Sequence, residues 1–515
     1  MARINSNISS QIARSNLAKS NVDLNMRLQR LSTGLRINKG SDDPAGLIIS
    51  NRLGSEISGL QQAVKNSERA GSVIATAEGS LSEVSDLLLS VKGLLVEAAN
   101  TGALSDDERR ANQLQIDSAI ESITRISNSA SFGGLKLLNG SLDYILSGLA
   151  TSAVSKAQIN SANFGSQKNI QVNVQTISSA QTGRLFIRGD YTGGLGAGVF
   201  QSSVTLEIAG SRGVQTMTVL SGRSLSEVVQ SVNSFRETTG VSASLINGNP
   251  NSGMIMSSID YGSNKFVSVK RIGEPLTGGF FRAYAMSDTG RLPANIDIAA
   301  MLTAGDLVVA NRDAGRDVFA VVNGVLGFGQ GTKISLPNAS QLTLDLTLNT
   351  DFAIRDGSST SFYITGGGAL YQLGGEINSS QQVFMSLQST AASRVGGTVV
   401  NGQLQFLSSI RSGGNNDLNS KNFVGASDIV ATAIDEIAVM RGRLGALEKN
   451  TLQTNAKSLQ SAIENLSASQ SVIRDADFAA ETAALSRAQI LSNAGTSVLQ
   501  LANQQSQNVL SLLRQ

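Results

Sequence analysis

The sequence predicts long α-helices at both ends, arranged as a coiled-coil-like bundle, and a β-rich, α+β region in the middle. Of the 515 residues, 52 are glycine and 5 are proline. Four of the prolines lie between residues 250 and 337, and only Pro44 lies outside that range. Phe132 is the one aromatic residue in 1–140, and Phe478 is the one in 426–515. Ends that are poor in turn-forming residues favour long helices, and the turn-rich middle favours strands.

Apolar residues near both termini recur at alternating intervals of three and four. This spacing averages about 3.5 residues, which is the seam of left-handed coiled-coil packing. We therefore expect the N- and C-terminal arms to share a bundle, although the same stripe also fits an ordinary helix facing a core. The seam residues in the terminal arms are Leu17, Leu24, Leu28, Leu31, Leu35, Leu491, Val498, Leu501 and Leu512.

A second pair of stripes follows the same spacing further from the termini. These residues form the predicted seam of a helical core domain: Leu81, Val84, Leu88, Val91, Leu95, Leu452, Leu459, Ile463 and Leu466. Three polar residues, Gln470, Gln505 and Asn508, fall in register with the C-terminal stripes. Such residues either fix the register of a coiled coil or lie at the edge of its seam.

Capping residues predict where several elements begin. Asp43 followed by Pro44 is typical of a helix start, and Ser105 with Glu108 has the capping-box spacing. Ser224 and Glu227 repeat that spacing before a short helix in the middle region.

Alternating apolar residues predict strands in the middle region. The pattern includes Val204, Leu206 and Ile208, and it recurs over 342–348. We expect a small α+β module over 200–270.

Composition excludes several chemistries. The chain has no cysteine and no histidine, so the usual zinc, haem and iron–sulfur ligands are missing and Ser–His–Asp triads cannot form. We expect no catalytic, cofactor or metal site. The net charge of +2 gives no global attraction to nucleic acid.

The N-terminal 40 residues are locally basic. A basic amphipathic arm suits a membrane surface or an acidic partner, but a solvated or packed helical face explains it as well. No run of about 18 apolar residues predicts a membrane span, and no apolar run near residue 1 suggests a cleaved signal peptide.

Both ends of the chain resemble the bacterial flagellins. The N-terminal resemblance lies in LSTGLRINKGSDDPAGL (31–47), GSVIATAEGSLSEV (71–84) and FGGLKLLNG (132–140). The C-terminal resemblance lies in MRGRLGALEKNTLQTN (440–455), IRDADFAAETAALSRAQIL (473–491) and AGTSVLQLANQQSQNVLSLLR (494–514). It covers about 1–150 and 420–515, in the family's order.

The resemblance implies a subunit that polymerises into the flagellar filament, with the terminal seam as its self-assembly surface. The implied domains are an N-terminal arm (1–42), a core domain in two parts (43–185 and 370–476), an outer region (186–369) and a C-terminal arm (477–515). Arg474, Asp475 and Asp477, beside Phe478, are expected at the joint between core and arm.

The resemblance also implies partners and a location. The expected partners are further copies of the chain, an export chaperone on the C-terminal arm, and the filament cap and hook-junction proteins. We expect neither nucleic-acid binding nor membrane insertion. The expected location is the filament outside the cell, reached by type III export without a cleaved signal.

The chain departs from the family in one recognition segment. Many flagellins carry Q-R-V-R-E-L-A-V where the vertebrate Toll-like flagellin receptor binds. The matching residues here are Leu89, Ser90, Val91, Lys92, Gly93, Leu94, Leu95 and Val96. Serine and glycine replace an arginine and a glutamate, which argues against receptor activation, whereas the apolar positions persist as helix packing requires. A smaller departure is Ser506, where the family often carries proline.

Three other functions compete with this interpretation. A hook–filament junction protein has related helical ends, but the signatures at both termini favour flagellin. A flagellin-borne zinc protease needs an H-E-x-x-H helix, and this chain has no histidine. A membrane-active helical protein is supported by the basic N-terminal arm alone.

Overall fold

A computed structural model describes residues 6–165, 167–188, 198–200, 202–273, 282–287, 296–337, 341–400 and 402–512, with the side chains of 506 and 508–512 left undescribed. The α-helices are α1 (Ile8–Thr33), α2 (Pro44–Ala98), α3 (Asp106–Ser129), α4 (Leu225–Ser234), α5 (Arg236–Thr239), α6 (Ile298–Ala304), α7 (Thr350–Ala353), α8 (Phe423–Ala446), α9 (Gln453–Arg474) and α10 (Phe478–Leu512). A π-helical segment, Leu447–Leu452, joins α8 to α9. Short 3-10 helices cover Ile246–Gly248, Pro250–Ser252, Ser379–Gln381, Leu407–Ile410 and Leu418–Ser420.

The strands lie between α3 and α8. They are β1 (Ser131–Phe132), β2 (Leu135–Lys136), β3 (Tyr144–Ser147), β4 (Val154–Ala162), β5 (Ile170–Ser178), β6 (Arg184–Ile187), β7 (Val204–Gly210), β8 (Val214–Val219), β9 (Val241–Leu245), β10 (Met254–Ser258), β11 (Phe266–Ile272), β12 (Ala283–Met286), β13 (Leu307–Val309), β14 (Arg312–Ala314), β15 (Phe319–Val322), β16 (Val325–Leu326), β17 (Phe328–Gln330), β18 (Lys333–Leu336), β19 (Leu342–Leu348), β20 (Ser359–Gly367), β21 (Ala369–Gln372), β22 (Gln382–Met385), β23 (Thr398–Val400) and β24 (Gln403–Gln405). Terminal helices flanking a β-rich middle confirm the predicted fold class.

Helix ends follow the capping residues of the sequence. The Asp43 carboxylate accepts the Gly46 N–H at 2.9 Å just before α2 begins. Ser105 and Ser224 form complete capping boxes with the glutamates three residues later, before α3 and α4. At the other end of α1, Gly34 adopts a left-handed φ of 72° and closes the helix, because glycine has no side chain to clash there.

The chain divides into two compact units. The first comprises Met1–Ser72, Tyr371–Val383 and Ala446–Gln515, and the second comprises Val73–Leu370 and Phe384–Gly445. Within the first unit, α9 lies along the beginning of α2. Gln470 donates to the carbonyl of Ser50 at 2.9 Å, and Asn455 donates to the carbonyl of Leu373 at 2.7 Å.

The second unit contains a β-sandwich. One sheet has the order β16-β15-β5-β20-β3 and the other has the order β17-β18-β19-β4. The four leucines of β19 all face the shared core, which confirms the alternation predicted over 342–348. β5 pairs with β15 and β20. The boundary expected between 185 and 186 does not separate two folded parts, because it falls inside β6 and strands from both sides of it share one sheet.

A second β module contains the residues expected to form an α+β unit over 200–270 and extends beyond them at both ends. Its sheets have the orders β13-β12-β6-β10-β9 and β14-β11-β7-β8. Leu225, Val228 and Val232 of α4 pack into its core. Phe235 is the C-terminal cap of that helix.

One face of α8 carries polar residues that bind the β-sandwich. Lys156 of β4 pairs with Glu436 at 2.6 Å, and Arg443 pairs with Asp345 of β19 at 2.6 Å. On β4, which is the edge strand of its sheet, the Asn160 carbonyl also accepts the Ser386 N–H at 3.0 Å. Residue 386 therefore occupies part of this edge, and the ion pairs join α8 to side chains of β4 and β19.

Candidate functional site

The two terminal helices lie side by side and run antiparallel. The Asn7 amide donates to the carbonyl of Ala502 at 3.0 Å, and further along α1 the Ser492 hydroxyl donates to Asn21 at 2.8 Å. An N-terminal residue of α1 thus meets a C-terminal residue of α10. Contacts at both ends of the pair indicate that the helices are joined along most of their length.

Small side chains form the face of α10 that meets α1. Ala488 is 1% exposed and Ala502 is 8% exposed, and a Cβ placed on Gly495 would lie 3.2 Å from Leu17. Ala488, Ser492, Gly495 and Ala502 are separated by four, three and seven residues, which fits a coiled-coil seam with the half-buried Leu499 at the intervening position. Their small size lets the backbone of α10 approach the leucines of α1 closely.

A buried carboxylate lies toward the start of α10. Glu481 is 7% exposed. Its oxygens lie 2.9 Å from Arg27 and 3.1 Å from Arg30. Arg27 also pairs with Asp23, one turn earlier in α1, at 3.2 Å. The result is one acidic side chain held between two basic ones.

The arginines determine the charge state of this site. Burial opposes the charged form of Glu481, but hydrogen bonds from Arg27 and Arg30 outweigh that cost and hold the pKa of Glu481 below its ordinary value. The hydrogen bond to Glu481 in turn raises the pKa of Arg27. Glu481 and Arg27 therefore remain ionised at neutral pH.

The predicted C-terminal seam does not face α1. Leu491, Val498 and Leu501 are 52%, 55% and 66% exposed in the single chain, and their role in self-assembly stays a prediction. The packed face lies about one residue position away and combines small residues with the half-buried Leu485 and Leu499. Gln505 is also exposed. The side chains of Leu512, Asn508 and Ser506 lie outside the described residues.

The N-terminal seam is only partly on the packed face. Leu17, Leu24 and Leu31 are half-buried, whereas Leu28 is exposed. Leu35 lies beyond the end of α1, because Gly34 ends the helix. Whether all of these residues serve self-assembly stays a prediction.

A short backbone ladder joins the inner ends of the two arms. The Arg36 N–H donates to the carbonyl of Arg474 at 2.7 Å, and the Ala476 N–H donates to the carbonyl of Gly34 at 2.9 Å. Asp477 then caps α10 by accepting the N–H groups of Ala479 and Ala480. The structure therefore places the joint at the predicted residues.

The predicted core-domain seam divides between the two compact units. In the second unit, all five residues on α2 are buried: Leu81, Val84, Leu88, Val91 and Leu95. In the first unit, Leu452 is buried, whereas Leu459, Ile463 and Leu466 are half-buried. Gln470 donates across to the backbone of α2, as a register-fixing residue would.

The segment that departs from the family lies within α2. Ser90, Lys92 and Gly93 are exposed, and Leu94 is half-buried. Leu89 is exposed too, while Val91 is fully buried. The expectation that Val96 persists for packing is wrong, because Val96 is 64% exposed.

Membrane-spanning helices and metal-binding clusters, which would indicate other classes of protein, are both absent from the described ranges. In that part of the chain, no helix is long and apolar enough to cross a membrane. The same residues contain no cluster of three or more acidic, histidine or cysteine side chains that could hold a metal ion.

Comparisons with known proteins agree on one family. Residues 4–143 match the bacterial flagellin N-terminal helical region, and residues 427–513 match the bacterial flagellin C-terminal helical region. The chain is 30% identical to a flagellin of Salmonella typhimurium, over 99% of each chain. It is also 30% identical to the B-type flagellin of Pseudomonas aeruginosa, again over 99% of each chain.

Two solved structures of flagellar proteins show weaker likeness. Flagellar hook associated protein-3 from Legionella pneumophila is 11% identical with a TM-score of 0.30, covering 81% of this chain and 97% of that one. The flagellar cap protein of Escherichia coli is 18% identical with a TM-score of 0.27, covering 49% of this chain and 64% of that one. Scores this low do not establish a common fold.

Proposed function

Because the chain belongs to the bacterial flagellin family and is a structural subunit of the flagellar filament, we propose that it polymerises through its paired terminal helices. The observation that carries this proposal is the exposed apolar stripe of α10, which includes Leu491, Val498 and Leu501. Each such side chain contributes about 1.5–3 kcal/mol when it is fully buried. Neighbouring copies of the chain are the partners that bury it.

The two faces of α10 have different roles in this proposal. The small-residue face, with Ala488 and Gly495, holds α1 of the same chain. The apolar stripe meets other copies. This division explains why the most hydrophobic residues of the arm lie outside the contact with α1.

Assembly and folding of the arms are coupled. In α1 the only buried residue among those described is Ala13, so the isolated helix pair buries little apolar surface. Helices in water depend mainly on such burial, and we expect the arms to gain helical structure on polymerisation. A rise in the far-UV circular dichroism signal of helix would accompany filament growth, and fully helical, protease-resistant arms in the free subunit would contradict this coupling.

The remaining partners follow from family membership. An export chaperone binds the C-terminal arm before assembly, and the cap and hook-junction proteins contact the ends of the filament. Export of the unfolded chain through the flagellar type III apparatus delivers it outside the cell. The changed segment at Ser90 and Gly93 makes recognition by the vertebrate receptor weak.

Removal of the C-terminal arm tests the proposal. The full chain and a chain lacking 476–515 are compared by sedimentation and electron microscopy in polymerising salt. The full chain should form filaments, and the truncated chain should stay folded and soluble without forming them. Normal filaments from the truncated chain would refute the role given to the arms.

A finer variant separates the two faces of α10. The triple substitution Leu491→Gln, Val498→Gln and Leu501→Gln should abolish filaments while leaving the α1–α10 contact intact. The matched control replaces three exposed polar residues of the same helix: Gln489→Ala, Asn493→Ala and Gln500→Ala. Filaments should form normally in that control.

A further inference from the structure

We propose that Glu481, held between Arg27 and Arg30, fixes the register of the two terminal helices together with the backbone ladder at their inner ends. This inference rests on the proposed function, since it concerns how the same helix pair aligns. Its starting point is the composition of the packed face of α10, where small residues alternate with half-buried leucines.

The apolar packing alone permits more than one alignment. In the structure Leu17 meets Gly495, and Ala488 lies two seam positions closer to the start of α10. If α1 slipped by one heptad, Leu24 would lie opposite Gly495 and Leu31 would lie opposite Ala488. Each leucine would again face a small residue, because both seams repeat every seven residues. At these positions, shape complementarity therefore does not select one register.

Hydrogen bonds between exposed polar side chains favour the observed register only weakly. The pair Asn21–Ser492 and the pair Ser10–Asn503 are both solvent-exposed. Water replaces such hydrogen bonds after a slip, so losing them costs little.

The buried charges behave differently. After the slip described above, Glu481 would lie beyond the end of α1 at Thr33 and would lose both arginines. A slip in the opposite direction would place Leu24 against Glu481. Either change leaves buried charge without its partner, which is strongly unfavourable. Only the observed register keeps Arg27, Arg30 and Glu481 together.

Disulfide trapping measures the register directly, and the absence of native cysteine makes introduced pairs unambiguous. The pair Asn21→Cys and Ser492→Cys reports the observed register. The pair Leu28→Cys and Ser492→Cys reports a one-heptad slip, because residue 28 takes the place of residue 21. Both pairs are oxidised in assembled filaments, and gel mobility separates bonds within a chain from bonds between chains.

With Glu481 present, the first pair should dominate within each chain. Glu481→Gln should lower the ratio of native to slipped disulfide by about tenfold or more, because Arg27 and Arg30 both lose the charge of Glu481, although Arg27 keeps Asp23. Glu481→Lys should lower it further, and Glu481→Asp should restore most of it. Arg487→Gln, a change at an exposed residue of the same helix, is the matched control and should leave the ratio unchanged.

The outcomes separate the two proposals. An unchanged ratio in both Glu481→Gln and Glu481→Lys, in filaments that form normally, would overturn the register role and leave the proposed function standing. Failure of the chain with Glu481 to form filaments before cysteines are introduced would overturn the proposed function itself. Filaments in which neither cysteine pair forms a bond within a chain would show that α1 and α10 do not pair as in the structure, which also overturns the register role.

Discussion

The terminal helices and the β-sandwich differ in where their large apolar side chains lie. In β19 every leucine points into a core supplied by the same chain. In α10 the leucine-rich stripe is exposed, and the contact with α1 includes alanine, glycine and a salt-bridged glutamate. The core of the sandwich is closed within one subunit, whereas in the proposed function other subunits bury the apolar stripe of α10.

The largest test of this contrast replaces matched leucines in the two regions. Leu346→Ala in β19 should destabilise the second unit by about 2–5 kcal/mol, because it leaves a cavity in a closed core. Leu501→Ala in α10 should change the unfolding of the free subunit by less than about 0.5 kcal/mol, yet it should raise the concentration needed for polymerisation. Thermal unfolding and a sedimentation assay measure the two effects.

The opposite results for Leu501→Ala would contradict this difference between the β-sandwich and the terminal helices. A large loss of subunit stability from Leu501→Ala would mean that the stripe is already buried in the free chain. Unchanged polymerisation would mean that the stripe does not contact other subunits.

The second test overfills the close contact between α1 and α10. Gly495→Leu should separate the helices and reduce polymerisation, because the added side chain collides with Leu17; overpacking of this kind typically costs about 1–3 kcal/mol. Gly442→Leu is the matched control, since a side chain at that helical glycine meets open space. Equal polymerisation by both variants would contradict the small-residue contact.

The third test uses pH. The pKa of Glu481 is lowered in the folded pair, so its contribution to pairing is full above the unfolded value of about 4.3 and is lost as the pH falls from there through the folded value. Filaments should therefore dissociate on acidification at a pH midpoint that depends on residue 481. Glu481→Gln should weaken filaments at neutral pH and flatten this part of the acid response, as followed by light scattering. Superimposable pH curves would exclude a role for the Glu481 charge.

The smallest expected effect concerns a buried hydroxyl in the second unit. Within the described residues, Thr390 Oγ1 is buried and has no hydrogen-bond partner. Thr390→Val should be neutral or stabilise by up to about 1 kcal/mol, because it removes an unsatisfied polar group at nearly constant shape. Thermal unfolding of the second unit measures this change in stability. A clear loss of stability would show that the hydroxyl has a hydrogen-bond partner.

Local sequence signals predicted the self-contained parts of the fold well. Alternation over 342–348 identified β19, and capping residues placed the starts of α2, α3 and α4. These signals work because a strand with one buried face and a helix with a side-chain cap depend on residues close together in the sequence.

The same signals did not locate the contact between the arms within one chain. Hydrophobic periodicity selected Leu491 and Val498, although the packed face of α10 uses Ala488, Gly495 and Ala502. The pairing of Glu481 with Arg27 and Arg30 joins opposite ends of the chain. No local sequence pattern near either terminus predicts it. Leu35 was placed in α1 because its spacing fits, but Gly34 ends the helix one residue earlier. Small-residue spacing in α10 was the available signal for the true contact.

The edge strand β4 constrains how copies of this subunit can add to one another. An unprotected nine-residue edge would invite a neighbouring molecule to extend the sheet by backbone hydrogen bonding, which leads to disordered fibrils. The backbone bond from residue 386 occupies part of that edge. It limits extension of the sheet along β4, so the proposed route of assembly through the terminal arms meets less competition from this strand.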